Sequence, residues 1–362
     1  MINRIKLLKF IDKTIGGILV SLLPIIYFRP KINASKINKI LFIRPGGIGD
    51  AVLLIPSIIL LKNQYPEAVI DVLAEKRNSE IYSLCAEVNT VYRYDRPKEL
   101  LHVIRKSYDV VIDTEQWHRL SAVIARLGRA PMSIGFSTNE RGKLFTHPIP
   151  YSHDEHEVYS FINLLSPIVR EKVKVPTPFI SLPPEVLARM NDYLLPLSGK
   201  KLVAIFPGGS VKQKQWPSDM FHDMITLLVQ QGYGMVVIGG REDMSEAAKI
   251  VGDISSVVNL CGKLSLVETA AVLKKTVLLV SGDSGIMHIA SALGTRVLAL
   301  FGPSNVIKWA PFSEHSHVIL NKLDCSPCSR FGYMPRCRHH VACMNHITVD
   351  EVFSNAIRLL ET

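Results

Sequence analysis

No apolar run in this chain of 362 residues is long enough to span a bilayer as a helix. The nearest, Ile15 to Phe28, has about 14 residues against the roughly 20 required, and Pro24 interrupts it. A secretory signal is also incomplete, because no small-residue cleavage site follows Phe28. Cysteine is scarce: six residues in a chain this long cannot make a disulfide scaffold. Repeats of solenoid length and low-complexity tracts are missing, and no aromatic-basic RNA-binding motif accompanies the positive charge. The phosphate loop G-x-x-x-x-G-K-[ST] is absent. The dinucleotide fingerprint G-x-G-x-x-G starts at Gly47 and Gly49 but fails at Val52, which argues against an NAD-dependent dehydrogenase.

What is present is a globular composition, 48% hydrophobic and 20% charged, with a net charge of +10. That excess favours anionic partners such as phosphorylated small molecules or acidic lipid. Much of it stands at the amino end. Arg4, Lys6, Lys9 and Lys13 precede the apolar run, and Arg29, Lys31, Lys36 and Lys39 follow it. Residues 1–37 are therefore expected to lie on an anionic cytoplasmic membrane surface without crossing it. The alternative is a helix packed on the protein's own body.

From Lys39 onward short apolar strands alternate with helical spacing, the mark of a mostly parallel sheet covered on both faces. Strands are expected at Ile40–Ile43, Val69–Leu73 and Val110–Ile112, with a helix over Val52–Lys62. A Pro-rich stretch from Val173 to Pro184 reads as a linker. The plan then restarts with strands at Leu202–Phe206, Met235–Ile238, Val277–Val280 and Val297–Phe301. An amphipathic helix over Val349–Leu360 ends it. The expected domains are 38–180 and 181–348, with residues 349–362 as a terminal helix.

Four segments carry candidate chemistry. Arg44-Pro-Gly-Gly-Ile-Gly-Asp50 leads from a strand into a helix and places the Asp50 carboxylate at the helix mouth, where it either caps the helix or faces the open loop. Phe206-Pro-Gly-Gly-Ser210, with Lys212 and Lys214 close behind, offers amides, a hydroxyl and a cation for a diphosphate. Gly282-Asp283-Ser284-Gly285-Ile-Met-His288 opens another helix, whose free amides suit a phosphate. Cys325, Cys328, Cys337 and Cys343 have a leading C-x-x-C, so a structural zinc site and free thiols are both open.

Taken together and in order, these segments resemble family 9 glycosyltransferases, the ADP-heptose:lipopolysaccharide heptosyltransferases. The resemblance rests on Lys39-Ile-Leu-Phe-Ile-Arg-Pro-Gly-Gly-Ile-Gly-Asp50 with Pro56, Phe206-Pro-Gly-Gly-Ser210 with Lys214-Gln-Trp-Pro217, Gly282-Asp-Ser-Gly-Ile-Met-His288 and Phe301-Gly-Pro303. It implies a GT-B fold, two Rossmann-like domains facing across a cleft, with acceptor on the first domain and nucleotide-sugar on the second. It further implies inverting transfer with Asp50 as general base and with no catalytic metal. Ser210, Lys214, Asp283, Ser284, Gly285 and His288 would serve the diphosphate. By spacing Asp243, with Glu242 adjacent, would hold the ribose. Trp117, His118, Arg119, Arg141 and Lys143 are candidates for an anionic lipopolysaccharide core acceptor. The expected enzyme works on the inner face of the inner membrane, with ADP-heptose or another nucleotide-activated sugar as donor. A non-catalytic nucleic-acid-binding protein is the competing expectation, set against it by the spread of basic residues along the chain.

Overall fold

The computed structural model describes residues 11–26, 37–169, 175–331 and 333–361. The chain divides into two compact units, Met1–Val175 and Pro176–Thr362. In the first, helix α1 (Gly17–Ile26) precedes β1 (Lys39–Arg44), α2 (Ile48–Gln64), β2 (Val69–Ala74), β3 (Thr90–Arg93) and α3 (Pro97–Arg105). Then come β4 (Val110–Asp113), α4 (Arg119–Leu127), β5 (Met132–Phe136), β6 (His147–Ile149) and α5 (Glu157–Asn163). Its strands form one parallel sheet in the order β3-β2-β1-β4-β5-β6.

The second unit runs α6 (Pro184–Leu194), β7 (Leu202–Phe206), α7 (Ser218–Gln230), β8 (Gly234–Val237), α8 (Met244–Val251), β9 (Val257–Asn259) and α9 (Leu266–Lys275). It continues with β10 (Leu278–Gly282), α10 (Gly285–Ala292), β11 (Arg296–Phe301), α11 (Val306–Trp309), β12 (Ser316–Leu320), α12 (Ala342–Asn345) and α13 (Val349–Glu361). Its parallel sheet has the order β12-β11-β10-β7-β8-β9. Counted from each unit's own first strand, both sheets follow the doubly wound order 3-2-1-4-5-6. The order reverses between β1 and β4 in the first unit and between β7 and β10 in the second. The crevices at these two points are where open α/β sheets hold ligands.

The central strands are continuous aliphatic runs because both of their faces are covered; Phe42 and Ile112, paired across β1 and β4, are fully buried. Strands β3, β9 and β12 lie at sheet edges and are half-exposed, so they lack that run. Helix α13 closes the second unit, burying Val352, Ala356 and Leu360 beside Leu278 and Leu300. The division between the units, Val175 to Pro176, falls within the Pro-rich stretch. Phe179 and Ile180 donate backbone N–H bonds to the Ala292 carbonyl, at 3.0 and 3.2 Å, so they belong with the second unit.

At the amino end, a π-helical turn (Asp12–Gly16) leads into α1. The basic residues Arg4, Lys6, Lys9, Arg29, Lys31 and Lys36 lie outside the described residues, as does Phe28. Within them, Val20 and Leu23 are buried in the first unit's core with Leu41, Val111 and Val123. Each such side chain contributes about 1.5–3 kcal/mol relative to exposure. The apolar segment expected at a membrane surface is thus packed by one face on its own domain.

Candidate active site

Strand β1 ends at Arg44, and the chain turns through Gly46, whose φ of +113° favours a residue without a side chain. Gly47 caps α2 without any side-chain bond, which puts Asp50 in the first helical turn. Asp50 makes no cap bond to the helix amides. Its Oδ1 instead accepts from the Gln116 amide Nε2 at 3.0 Å and lies 3.8 Å from the Arg44 guanidinium. Its Oδ2 occupies the space over Gly47, where an added Cβ would come within 2.8 Å. Gly47 therefore leaves the second carboxylate oxygen room, and Asp50 is partly exposed.

Behind Asp50 lies a buried polar network. Arg44 donates to the carbonyls of Pro45 (2.8 Å) and Thr114 (2.7 Å), to Gln116 Oε1 (3.3 Å) and to Glu115 Oε2 (3.5 Å). Its guanidinium also stands 5.7 Å from the centre of the Phe161 ring. Burial alone would lower its pKa, but Asp50 and Glu115 raise it further, so Arg44 stays charged. Burial pushes the Glu115 carboxyl up, and the charges of Arg44, His118 and Arg141 more than reverse that. Gln116 bridges two carboxylates, since its Nε2 also donates to Glu157 Oε1 at 2.6 Å. Tyr151 donates to Glu157 Oε2 at 2.8 Å, and burial together with Glu157 keeps that phenol protonated.

Sequence reasoning named Asp50 but gave no role to Arg44, Gln116, Tyr151 or Glu157. A usable signal was Thr114-Glu115-Gln116 directly after β4: the reversal of strand order puts that loop beside the end of β1. Among the acceptor candidates, Arg141 needs correcting. It is fully buried, donates to Asp113 Oδ2 at 2.6 Å and to the Glu115 carbonyl, and so acts inside the domain. His118 Nδ1 stands 3.5 Å from Asp12 Oδ2, Arg119 donates to Asn139 and Lys143 to Glu140, while Trp117 is exposed.

In the second unit, the loops after β7 and β10 meet at the equivalent point. Lys214 Nζ donates to Asp283 Oδ2 at 2.5 Å. Burial would raise the Asp283 pKa, but Lys214 and His288 lower it overall, so the carboxylate is ionised. A Cβ on Gly282 would meet the Lys214 carbonyl at 2.5 Å, so the close approach of the two loops requires glycine. Ser210 is exposed on the β7 loop. Ser284 caps α10: its Oγ accepts from Met287 N–H at 3.1 Å and lies 3.0 Å from Ser281 Oγ. Its hydroxyl is thus engaged in the cap, and the helix start at Gly285 contributes through its backbone. His288 is buried, and Trp216 packs in the core with its indole N–H on the Ile347 carbonyl.

Asp243 is also turned inward. Its Oδ2 accepts from Gly240 N–H at 2.9 Å, and a Cβ on Gly208 would strike its Oδ1 at 2.5 Å. Burial raises its pKa. The carboxylate closes its own turn after β8 and packs against Gly208 of the β7 turn, leaving the adjacent exposed side to Glu242.

Of the four late cysteines, Cys328 and Cys343 sit against the turn after β11. Cys328 N–H bonds the Pro303 carbonyl, and a Cβ on Gly302 would come within 2.8 Å of Cys343 Sγ. Cys337 Sγ accepts from the N–H groups of His339 and Val341, each at 3.4 Å. Burial and the neighbouring thiols push Cys328 and Cys343 up. Among the described residues no three His, Cys, Asp or Glu side chains converge as a metal-ligand set, although Cys325, Cys328 and Cys337 all act electrostatically on Cys343.

The model for glycosyltransferase family 9 (heptosyltransferase) matches residues 98–334. Lipopolysaccharide heptosyltransferase 3 of Escherichia coli is 31% identical over 291 residues, covering 74% of this chain and 84% of that protein. The solved structure of E. coli ADP-heptose lipopolysaccharide heptosyltransferase II has a TM-score of 0.76 at 23% identity, covering 89% of this chain and 98% of that one. An iron-containing dodecameric glycosyltransferase of enterotoxigenic E. coli has a TM-score of 0.58 at 15% identity, covering 92% and 78% respectively. The two doubly wound sheets are those of the GT-B fold, and the family model and the heptosyltransferase relative show that this chain is a glycosyltransferase that belongs to family 9, the heptosyltransferase family.

Proposed function

We propose that this enzyme transfers heptose from ADP-heptose to a lipopolysaccharide core acceptor with inversion at the anomeric carbon, at the cytoplasmic face of the inner membrane. The observation that carries the proposal is the Asp50 carboxylate, one oxygen held by Gln116 and the other left open over Gly47. Asp50 Oδ2 takes the proton of the acceptor hydroxyl as that oxygen forms its bond to the anomeric carbon. The bond from that carbon to the diphosphate breaks on the opposite face, and the diphosphate leaves with the electron pair. Lys214 meets the growing negative charge, with the Gly208–Ser210 amides and the α10 start in support. Asp283 holds Lys214 in place until the diphosphate competes for it. Exposed Glu242 is better placed than inward-turned Asp243 to accept from ribose hydroxyls. No step passes through the four late cysteines; metal analysis of purified protein tests whether they hold a structural metal.

The donor is supported by the names of the relatives alone. A screen of nucleotide-sugars should show nucleoside diphosphate release with ADP-heptose, in the presence of acceptor, at least tenfold faster than with activated hexoses or N-acetylhexosamines. NMR of the product should show an inverted anomer. Preference for another donor would replace the heptose assignment, and a retained anomer would remove the single-displacement mechanism.

A further inference from the structure

We propose that the outward face of the amino-terminal helix is a docking surface for an anionic lipid bilayer, latched to the loop that holds Asp50. The inference deepens the proposed membrane location and rests on it. Val20 and Leu23 face the core, while Ile15, Ile18 and Leu22 are 51%, 60% and 48% exposed. Their spacing of three and then four residues puts them on one side of a helix. The segment is thus apolar on both sides, one covered by the domain and the other by nothing in the chain described.

Charge identifies what covers it. Residues 1–39 contain Arg4, Lys6, Lys9, Lys13, Arg29, Lys31, Lys36 and Lys39, and Asp12 is their only acidic residue. Asp12 is buried and bonded to α4, while Lys13 beside it is exposed. A positive segment with an apolar face matches an anionic leaflet. A second copy of the chain would bring the same positive charge against it. Among the described residues no helix is long and apolar enough to cross a membrane, so the helix lies in the interface plane.

The latch is specific. Asp12 Oδ1 accepts from the N–H groups of Arg119 (2.7 Å) and Leu120 (2.9 Å), the first amides of α4. A Cβ on Gly16 would stand 3.0 Å from Arg119 Cβ, so the turn before α1 packs directly on α4. Three residues back along that loop is Gln116, which bonds Asp50. Between them Trp117 is 40% exposed, a side chain suited to the membrane–water boundary. The segment that carries the exposed stripe is thus tied to the helix whose preceding loop orients Asp50.

The test is flotation of the full chain with phosphatidylcholine vesicles, with and without phosphatidylglycerol, in the absence of substrates. The wild-type chain should float with the anionic vesicles, and less so in high salt. The triple variant Ile15→Ser, Ile18→Ser, Leu22→Ser should lose about tenfold or more of this binding. Lys13→Glu, which keeps the apolar stripe, should also weaken it. Leu195→Ser, an exposed apolar residue of the second unit, should not. Unchanged flotation of the triple variant overturns the proposal, as does a wild-type chain that ignores anionic vesicles. A changed oligomeric state with unchanged flotation would assign the face to a second copy instead. Since no donor or acceptor is present, a wrong sugar assignment leaves this result untouched.

Discussion

Asp50 stands in the first turn of a helix, where a carboxylate gains from the amide dipoles, yet its hydrogen bond goes to Gln116, 66 residues away. Gln116 in turn shares its amide with the fully buried Glu157. Gln116→Leu should therefore lower kcat about tenfold, the worth of one hydrogen bond of about 1.4 kcal/mol, with KM for the donor unchanged. Steady-state kinetics at varied donor check this; a rise in donor KM with kcat intact would assign Gln116 to substrate binding. The glycine-bearing turns after β1, β7 and β10 that lead to Asp50, Lys214 and Asp283 were legible in the sequence. Gln116 and Glu157 were not, because neither lies in such a turn and only the fold brings them to Asp50. Arg141 misled for a related reason: a basic residue among polar neighbours looks like surface, but here its partner is the buried Asp113 at the end of β4.

Besides the packing of Val20 and Leu23, the segment leading into α1 is tied to α4 by the carboxylate of Asp12. Asp12 is the acceptor for two α4 amides, so Asp12→Ala should cost about 1 kcal/mol, as loss of a helix cap does. Burial raises the Asp12 pKa, but His118 and the backbone amides lower it below the ordinary value of 3.8. A lowered folded pKa means that the contribution is complete above 3.8 and fades as pH falls through the folded value. Denaturant unfolding of both proteins should show the full difference at pH 7 and a shrinking one below about 4. A difference that grows in acid would contradict the sign. Central strands such as β1 and β7 were legible as aliphatic runs. The edge strands β3, β9 and β12 were not, since one covered side leaves little apolar signal, and β5 is broken by Ser133 and Gly135. Gly135 is required there, because a Cβ would meet the Phe145 ring at 2.3 Å.

Both units repeat one strand order, and in both the chemistry-bearing loops flank the reversal point: Asp50 and Gln116 after β1 and β4, Lys214 and Asp283 after β7 and β10. The repeat was legible as two runs of strands ending in glycine turns, but strand order itself was not, since it depends on crossovers rather than on local pattern. The proposed mechanism divides proton removal and diphosphate binding between the two units in this way, and paired variants separate the two directly. Turnover with ADP-heptose and acceptor, alongside ADP affinity by calorimetry, should be measured for Asp50→Ala and Lys214→Ala. Asp50→Ala should lose about 10²-fold or more in kcat with ADP affinity unchanged, and Lys214→Ala should lose both together. Near-wild-type turnover of Asp50→Ala would contradict the account.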